Sequence, residues 1–395
     1  MIMNVHKSED VLAGTPRLRR NLTLVVALGA ITAAIGAIVA PERAWPNILL
    51  ASFYLLSLGL AGVLFIALQY VSNAGWSVAI RRVPEALAGI LPTASLLMLI
   101  TLLGIPSLYE WSHADAVSGN HLLQAKAGWL NVSFFVIRTL FYLGIWFVFA
   151  YYLRRFSRQQ DTTGDVSFTR KNKKLSAGFL VVIALTFTLA SMDWIMSLEP
   201  EWYSTIFGMY NLSGMLLNGL AAITVVVVIL RRTGPLRKVV TDSHLHDLGK
   251  LIFAFSTFWM YIWFSQYILI WYANIPEEVV YFVNREEGSW TIFTGLNVVF
   301  NWLIPFVVLL SQWSKKNEGL LLKVCVIIMI GHWIDLYWMI LPPFLKTGPE
   351  VSLWEIGPFA GMIALFFLVT FKAFARGNPV PLKDPLLEES LHHHS

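Results

Sequence analysis

The chain has 395 residues, of which 13% are charged and 14% aromatic, with a formal net charge of +5 and a mean hydropathy of +0.63. So little charge cannot clothe a soluble core of this size. The lone cysteine, Cys325, sits inside an apolar run and excludes an intramolecular disulfide, a cysteine-ligated cluster and a c-type haem attachment motif. Apolar runs of roughly 20 residues recur along the chain, the length a helix needs to cross the hydrocarbon layer. Helices rather than barrel strands cross at such lengths, so the expected fold is an all-α polytopic membrane protein.

In chain order the expected spans are 22–40, 46–72, 83–105, 128–153, 175–198, 208–230, 250–272, 291–313, 320–341 and 354–374. Residues 1–21 precede them, the ten-helix region occupies 22–375, and 376–395 form a tail. The first run follows Arg17, Arg19 and Arg20 and is followed directly by Pro41, which reads as an anchor rather than a cleaved signal. Alternating segments then sort the basic residues. Lys7 with the first arginines, Arg81 with Arg82, the run from Arg154 to Lys174, Arg231 to Lys238, Lys315 with Lys316, and the tail all fall on one side. The other side holds Arg43, Lys126, Arg285 and Lys346, among acidic residues such as Glu199, Glu201, Glu277, Glu286 and Glu350. This is the positive-inside pattern and puts both termini in the cytoplasm. The net charge is therefore a topology signal and gives no reason to expect nucleic acid as a partner. Tryptophans near span ends, among them Trp129, Trp202, Trp271 and Trp290, read mainly as an interfacial belt. The polar stretch 154–174 reads as an inner loop meeting lipid headgroups or a cytoplasmic partner, and the Pro-rich tail as extended and unordered.

"MDWIMSLEP" ends the fifth span and "IDLYWMILPP" the ninth, each with an aspartate seven residues before a proline. Spans 2–5 (about 46–198) and 6–9 (about 208–341) then read as two four-helix bundles, with the remaining helices peripheral.

Ionisable groups inside spans are costly and face a protein interior or hydrated cavity. Those here are Glu85, Arg138, Asp193, Lys323, His332 and Asp335. Lys323 can snorkel from the inner end of its span. Glu85 suits a local ion pair with Arg81 or Arg82 and equally a proton-entry role. Arg138 lies roughly 15 Å into the fourth span at 1.5 Å per residue, and Asp193, His332 and Asp335 lie at similar depth. Together with Gln266, Asn297 and Asn301 they are expected to line a pocket opening outward. Asp193 is read as protonatable, with a lock to Arg138 as the competing role. No catalytic residue and no metal site is expected. A b-type haem normally needs two intramembrane histidines, and His332 stands alone.

"SMDWIMSLEPEWYSTIFGMY", followed by a helix of small residues, and "FSQYILIWYANIPEE" resemble the ActF membrane subunits of alternative complex III, relatives of the NrfD and polysulfide-reductase membrane subunits. That complex is a bacterial quinol:cytochrome c (or other electron-acceptor) oxidoreductase of respiratory or photosynthetic chains. The resemblance runs from about 20 to 375; Asp193, Ser204, Thr205, Gln266, Tyr267 and Glu277 match its motifs. It implies a bacterial inner-membrane subunit whose partners are a related quinol-site membrane subunit, a periplasmic iron–sulfur subunit, a multihaem cytochrome c and small membrane subunits. Haem c and iron–sulfur clusters would then belong to those partners, and this chain would bind no redox cofactor, quinone excepted. The related quinol-site subunits carry a His-Thr-Val-Val-Ser pattern before the aspartate, where this chain has "LTFTLAS". Three functions follow: a structural and proton-relay subunit, a direct quinone site using His332 or Asp335, or a secondary transporter. Against the transporter, only Pro92 and Pro305 lie deep in spans.

Overall fold

The computed structural model describes residues 15–394 and is all-α; the expectation for Lys7 falls outside the described residues. Among the described residues ten helices are long and apolar enough to cross a membrane. They are α1 (Pro16–Val39), α2 (Pro41–Val71), α3 (Arg82–Leu108), α4 (Val132–Thr163), α5 (Ser167–Trp194), α6 (Phe207–Thr233), α7 (Asp242–Ala273), α8 (Trp290–Val308), α9 (Glu318–Ile340) and α10 (Leu353–Phe374). The chain is a multi-pass membrane protein. All ten expected spans exist, and the differences lie at their ends and inside two of them.

α2 and α6 are the centre of the molecule, with 94% and 89% of their most apolar stretches buried. α2 packs on α3 and α5, and α4 on α3 and α5, which closes a ring; α6 to α9 repeat the same neighbour pattern. The two rings meet where α2 packs on α6, and α6 also touches α5. Small residues make that approach possible: a methyl placed on Gly219 of α6 would collide with Ala61 of α2. Between membrane helices, where lipid tails are as apolar as leucine, such close backbone packing replaces the hydrophobic drive. α1 and α10 pair outside the rings through Gly29 and Gly361.

The two prolines deepest in the spans, Pro92 and Pro305, interrupt their helices, whereas Pro46 and Pro358 near the ends of α2 and α10 do not. α3 breaks between Ala88 and Leu91, just before Pro92, and α8 carries a π-turn over Val299–Leu303 ahead of Pro305. Proline lacks the N–H and crowds the carbonyl four residues back, so the ladder must loosen there. The breaks fall in the second helix of one ring and the third of the other, and so do not form a matched pair.

Contacts sort the connecting segments onto two ends. At one, Arg43 pairs with Glu355 at 2.8 Å, Arg285 with Glu199 at 3.0 Å, and Asn120 donates to Glu201 at 2.6 Å. At the other, Arg82 pairs with Asp161, Arg231 with Asp242 at 2.7 Å, and Arg232 with Glu318 at 2.5 Å. These are the acidic and basic ends.

Two expectations at the basic end are corrected. The stretch 154–174 is not a loop: α4 runs to Thr163 and α5 begins at Ser167. Gly164, at φ 77°, turns the chain in the left-handed conformation that ends helices cheaply only with glycine. Polar composition marked where the helices leave the membrane, and was mistaken for where they stop. The tail is not unordered either. Asp384 pairs with buried Arg81, Ser390 Oγ donates to the Trp76 carbonyl at 2.6 Å and accepts from the Ala79 N–H at 2.9 Å, and His393 meets Asp247 at 2.5 Å. Residues 381–394 thus strap the basic end from α7 across the 73–81 turn to α4, where Lys383 reaches the Thr162 carbonyl at 2.6 Å. The N-terminal segment also differs from its expected bound, since helix begins at Pro16.

Candidate functional site in the membrane interior

The intramembrane polar residues gather in two clusters, one in each ring. In the first, α5 delivers Asp193 and α4 delivers Arg138. The guanidinium grips the carboxylate two-handed, Nε to Oδ2 at 2.8 Å and Nη2 to Oδ1 at 2.9 Å. Trp129 Nε1 donates to Oδ1 at 2.8 Å and Tyr142 Oη to Oδ2 at 3.0 Å. Asp193 is 1% exposed and Arg138 5%, so both charges are out of water. The remaining Arg138 donor, Nη1, reaches the Trp129 carbonyl at 2.9 Å, and the guanidinium lies over the Trp129 and Phe134 rings at 4.2 and 4.3 Å. Each carboxylate oxygen has two donors, and the cation rests against two aromatic rings that meet edge to face. Such a pair is held by geometry: bidentate, charge-assisted bonds offset the cost of desolvation only when nearly every lone pair is used.

The second cluster is built on α9. Asp335, also 1% exposed, accepts from Tyr210 Oη of α6, from Asn297 Nδ2 of α8 at 2.8 Å, and from Trp259 Nε1 of α7 at 3.3 Å. Asn297 is itself tied to Asn301, whose Nδ2 donates to the Asn297 side-chain oxygen at 2.7 Å. No arginine or lysine pairs with Asp335 among the described residues. Besides the Tyr210 hydroxyl, its ionisable neighbour is His332, a turn below on the same helix face, with Nδ1 3.8 Å from Oδ2. The other imidazole nitrogen, Nε2, is buried and has no hydrogen-bond partner. Beyond the imidazole lies Tyr54 of α2, ring centroids 5.4 Å apart, whose hydroxyl bonds the Met329 carbonyl at 2.8 Å and Asn218 Oδ1 at 3.1 Å. Gly214 of α6 leaves the space against His332: a β-carbon there would stand 3.1 Å from Cε1.

Of the remaining expected residues, Gln266 is buried on α7 with its side-chain oxygen unpartnered, and no hydrogen bond links it to either carboxylate. Glu85 lies at the basic end, held by Arg82 and by Ser157 Oγ at 2.5 Å, which is its local ion-pair role. Arg81, the other partner considered, goes to Asp384 instead. The single shared pocket is therefore divided. A groove of about 370 Å³ does open at the acidic end, between α7 and the short helix Pro276–Glu286, walled by Tyr267, Trp271, Phe282 and Glu286. None of the seven residues expected to line a shared pocket, nor Glu85, lies along it.

Sequence reasoning missed the aromatic donors. Trp129 reads as belt from the sequence, and Trp259, Tyr142, Tyr210 and Tyr54 carry no mark there that singles them out. Their spacing held a signal: Tyr142 lies one turn beyond Arg138 on α4, on the face that a buried charge already marks. Trp202 and Trp290, also read as belt, are 5% and 3% exposed and pack inside. Trp202 stacks on Tyr281 at 3.8 Å beneath the Arg285–Glu199 pair. Among the described residues no group of three histidine, cysteine or acidic side chains is placed to hold a metal ion. No protein-family model matches the chain, and no curated protein matches it.

Proposed function

We propose that this chain is a membrane subunit of a quinol:electron-acceptor oxidoreductase of the alternative complex III type, carrying no redox centre itself, in which Asp335 and His332 relay protons while Asp193 and Arg138 lock α5 to α4. The reading rests on the resemblance of its motifs to the ActF and NrfD-like subunits and on one observation: Asp335 is a fully buried carboxyl met only by neutral donors. No fixed cation holds its charge, so Asp335 can take and release a proton without leaving a partner stranded, which Asp193 cannot do. His332 beside it, with one unpartnered nitrogen, and the Tyr54–Asn218 pair beyond supply the next groups along a path toward α2. Ionisable residues inside a membrane domain mark such relays.

The proposed partners are a quinol-site membrane subunit, a periplasmic iron–sulfur subunit and a multihaem cytochrome c, with haem and clusters in those chains. The proposed location is the bacterial inner membrane with both termini cytoplasmic, supported by the collection of basic residues on one end. Purifying the tagged chain from native membranes should bring down haem- and cluster-bearing partners. In that assembly Asp335→Asn should leave the complex intact and slow quinol oxidation or its coupling to membrane potential. Isolation without such partners, or a fully coupled Asp335→Asn complex, would sink the proposal. Orientation is tested separately: Cys325 is fully buried, so Thr162→Cys gives one accessible thiol, expected to react with impermeant reagents from the cytoplasmic side alone.

A second reading, direct quinone binding, is favoured by the aromatic groove at Tyr267, Trp271 and Phe282. A photoreactive quinone that labels this groove would support it, and labelling confined to another subunit would remove it.

A further inference from the structure

At the basic end, α4 carries Arg154, Arg155 and Arg158 on one side, and with Tyr151, Gln159 and Thr162 they line a groove of about 410 Å³. None of the three arginines forms an ion pair among the described residues, whereas Arg82 of the facing α3 pairs with both Glu85 and Asp161. Arg154 Nε is buried with no hydrogen-bond partner, and its head leans to within contact of the α3 break at Gly89. Arg155 has only the Tyr151 hydroxyl, at 3.2 Å. The carboxylates nearest them are already engaged: Glu85 with Arg82 and Ser157, Asp161 with Arg82. A groove of like charges in which one guanidinium nitrogen is buried without a partner calls for an anion.

Depth decides which anion. Arg154 stands 22 residues beyond the start of α4 at Val132, roughly 33 Å at 1.5 Å per residue, just past a hydrocarbon layer of about 30 Å. That is headgroup level. Tyr151 and Tyr152 are 46% and 41% exposed on the adjoining surface, amphipathic rings of the kind that sit at this boundary. We propose that the groove binds the phosphate of an anionic phospholipid, with Arg154 and Arg158 as the gripping cations and Arg155 at the rim, the acyl chains lying along the exposed face of α4. Guanidinium suits the task because its fork meets two phosphate oxygens at once.

The test uses the full chain in neutral detergent, titrated with cardiolipin, with phosphatidylcholine and with inorganic phosphate, and read by native mass spectrometry and lipid-induced thermal stabilisation. Cardiolipin should bind and phosphatidylcholine should not. Arg154→Gln and Arg158→Gln should each weaken binding about fivefold, the expectation for one basic residue at an anionic surface. Arg158→Lys should keep most of it, and Arg170→Gln, exposed outside the groove, should match the unaltered chain. Arg155→Gln alters only an exposed rim and should give a smaller loss even where the Arg154 variant fails to fold. Equal binding of both lipids, or undiminished cardiolipin binding by every groove variant, would overturn the proposal. Displacement of cardiolipin by inorganic phosphate at equal concentration would reassign the groove to a free anion.

Discussion

Asp193 and Asp335 end the fifth and ninth helices in near-identical sequence settings, yet the protein treats them differently. The neighbouring helix offers Arg138 to the first and Asn297 to the second. Each also receives a tyrosine hydroxyl and a tryptophan N–H, Tyr142 with Trp129 for Asp193 and Tyr210 with Trp259 for Asp335. One cluster is thus a closed ion pair and the other a carboxyl among neutral dipoles with a histidine alongside. The difference teaches that depth and burial do not decide the role of an intramembrane acid; the charge of its nearest partner does. In the proposed relay, a fixed cation commits the group to structure, while its absence lets the group exchange a proton without stranding a partner.

The largest expected effect breaks the closed half. Arg138→Leu strands the Asp193 charge in the interior and should cost about 3–5 kcal/mol, seen as lost folded yield and a lower unfolding midpoint in detergent. Arg138→Leu together with Asp193→Leu should recover most of that loss, because two apolar side chains replace a pair whose desolvation was costly. If the double variant is as crippled as the single one, the pair is doing something besides locking helices.

The strap at the basic end gives the next effect. Asp384→Ala leaves Arg81, 5% exposed, without its carboxylate and with only Tyr70 at 3.2 Å. A cost of roughly 3 kcal/mol is expected, the lower edge for an orphaned buried charge, together with faster proteolysis of residues 381–394. A tail cut no faster in the variant would mean that the strap is held by Ser390 and His393 instead.

Asp335→Asn should be milder, about 1–2 kcal/mol, since the amide keeps an oxygen for two of the three donors but turns its own N–H₂ toward one of them. If this variant unfolds as readily as Arg138→Leu, the two halves are not different in kind. The smallest effect is expected at the imidazole. His332→Phe removes a buried nitrogen that has no partner, so stability should change by about 1 kcal/mol or less in either direction, while proton transfer in the assembled complex should fall. A His332→Phe variant with unaltered coupling would restrict the relay to Asp335.

How much of this was legible beforehand can be judged at particular residues. Arg138, Asp193, His332 and Asp335 stood out because a charge inside an apolar run has few explanations, and Asn297 and Asn301 were named with them. Their division into two sites was not legible: similar depth along different helices says nothing about the angle around each helix. The helices themselves followed from run length, and Pro305 and Pro92 foretold interruptions, though not that one would take the form of a π-turn. The tail was misread because its partners, Arg81, Trp76 and Asp247, lie over a hundred residues away or more, and nothing local distinguishes an ordered polar segment from an unordered one.

Composition and periodicity alone determined that the described residues hold ten helices long and apolar enough to cross a membrane, because an apolar run of that length has nowhere else to be stable and its backbone must pair with itself. They also determined which end would be basic. Only the tertiary structure decided which buried acid meets a cation, which arginines at the membrane edge go unpaired, and where the tail lies. Those outcomes depend on which helix faces turn toward one another. Shape-matched contacts such as Gly219 on Ala61 and Gly29 on Gly361 set that rotation, and no single stretch of sequence contains both sides of such a contact.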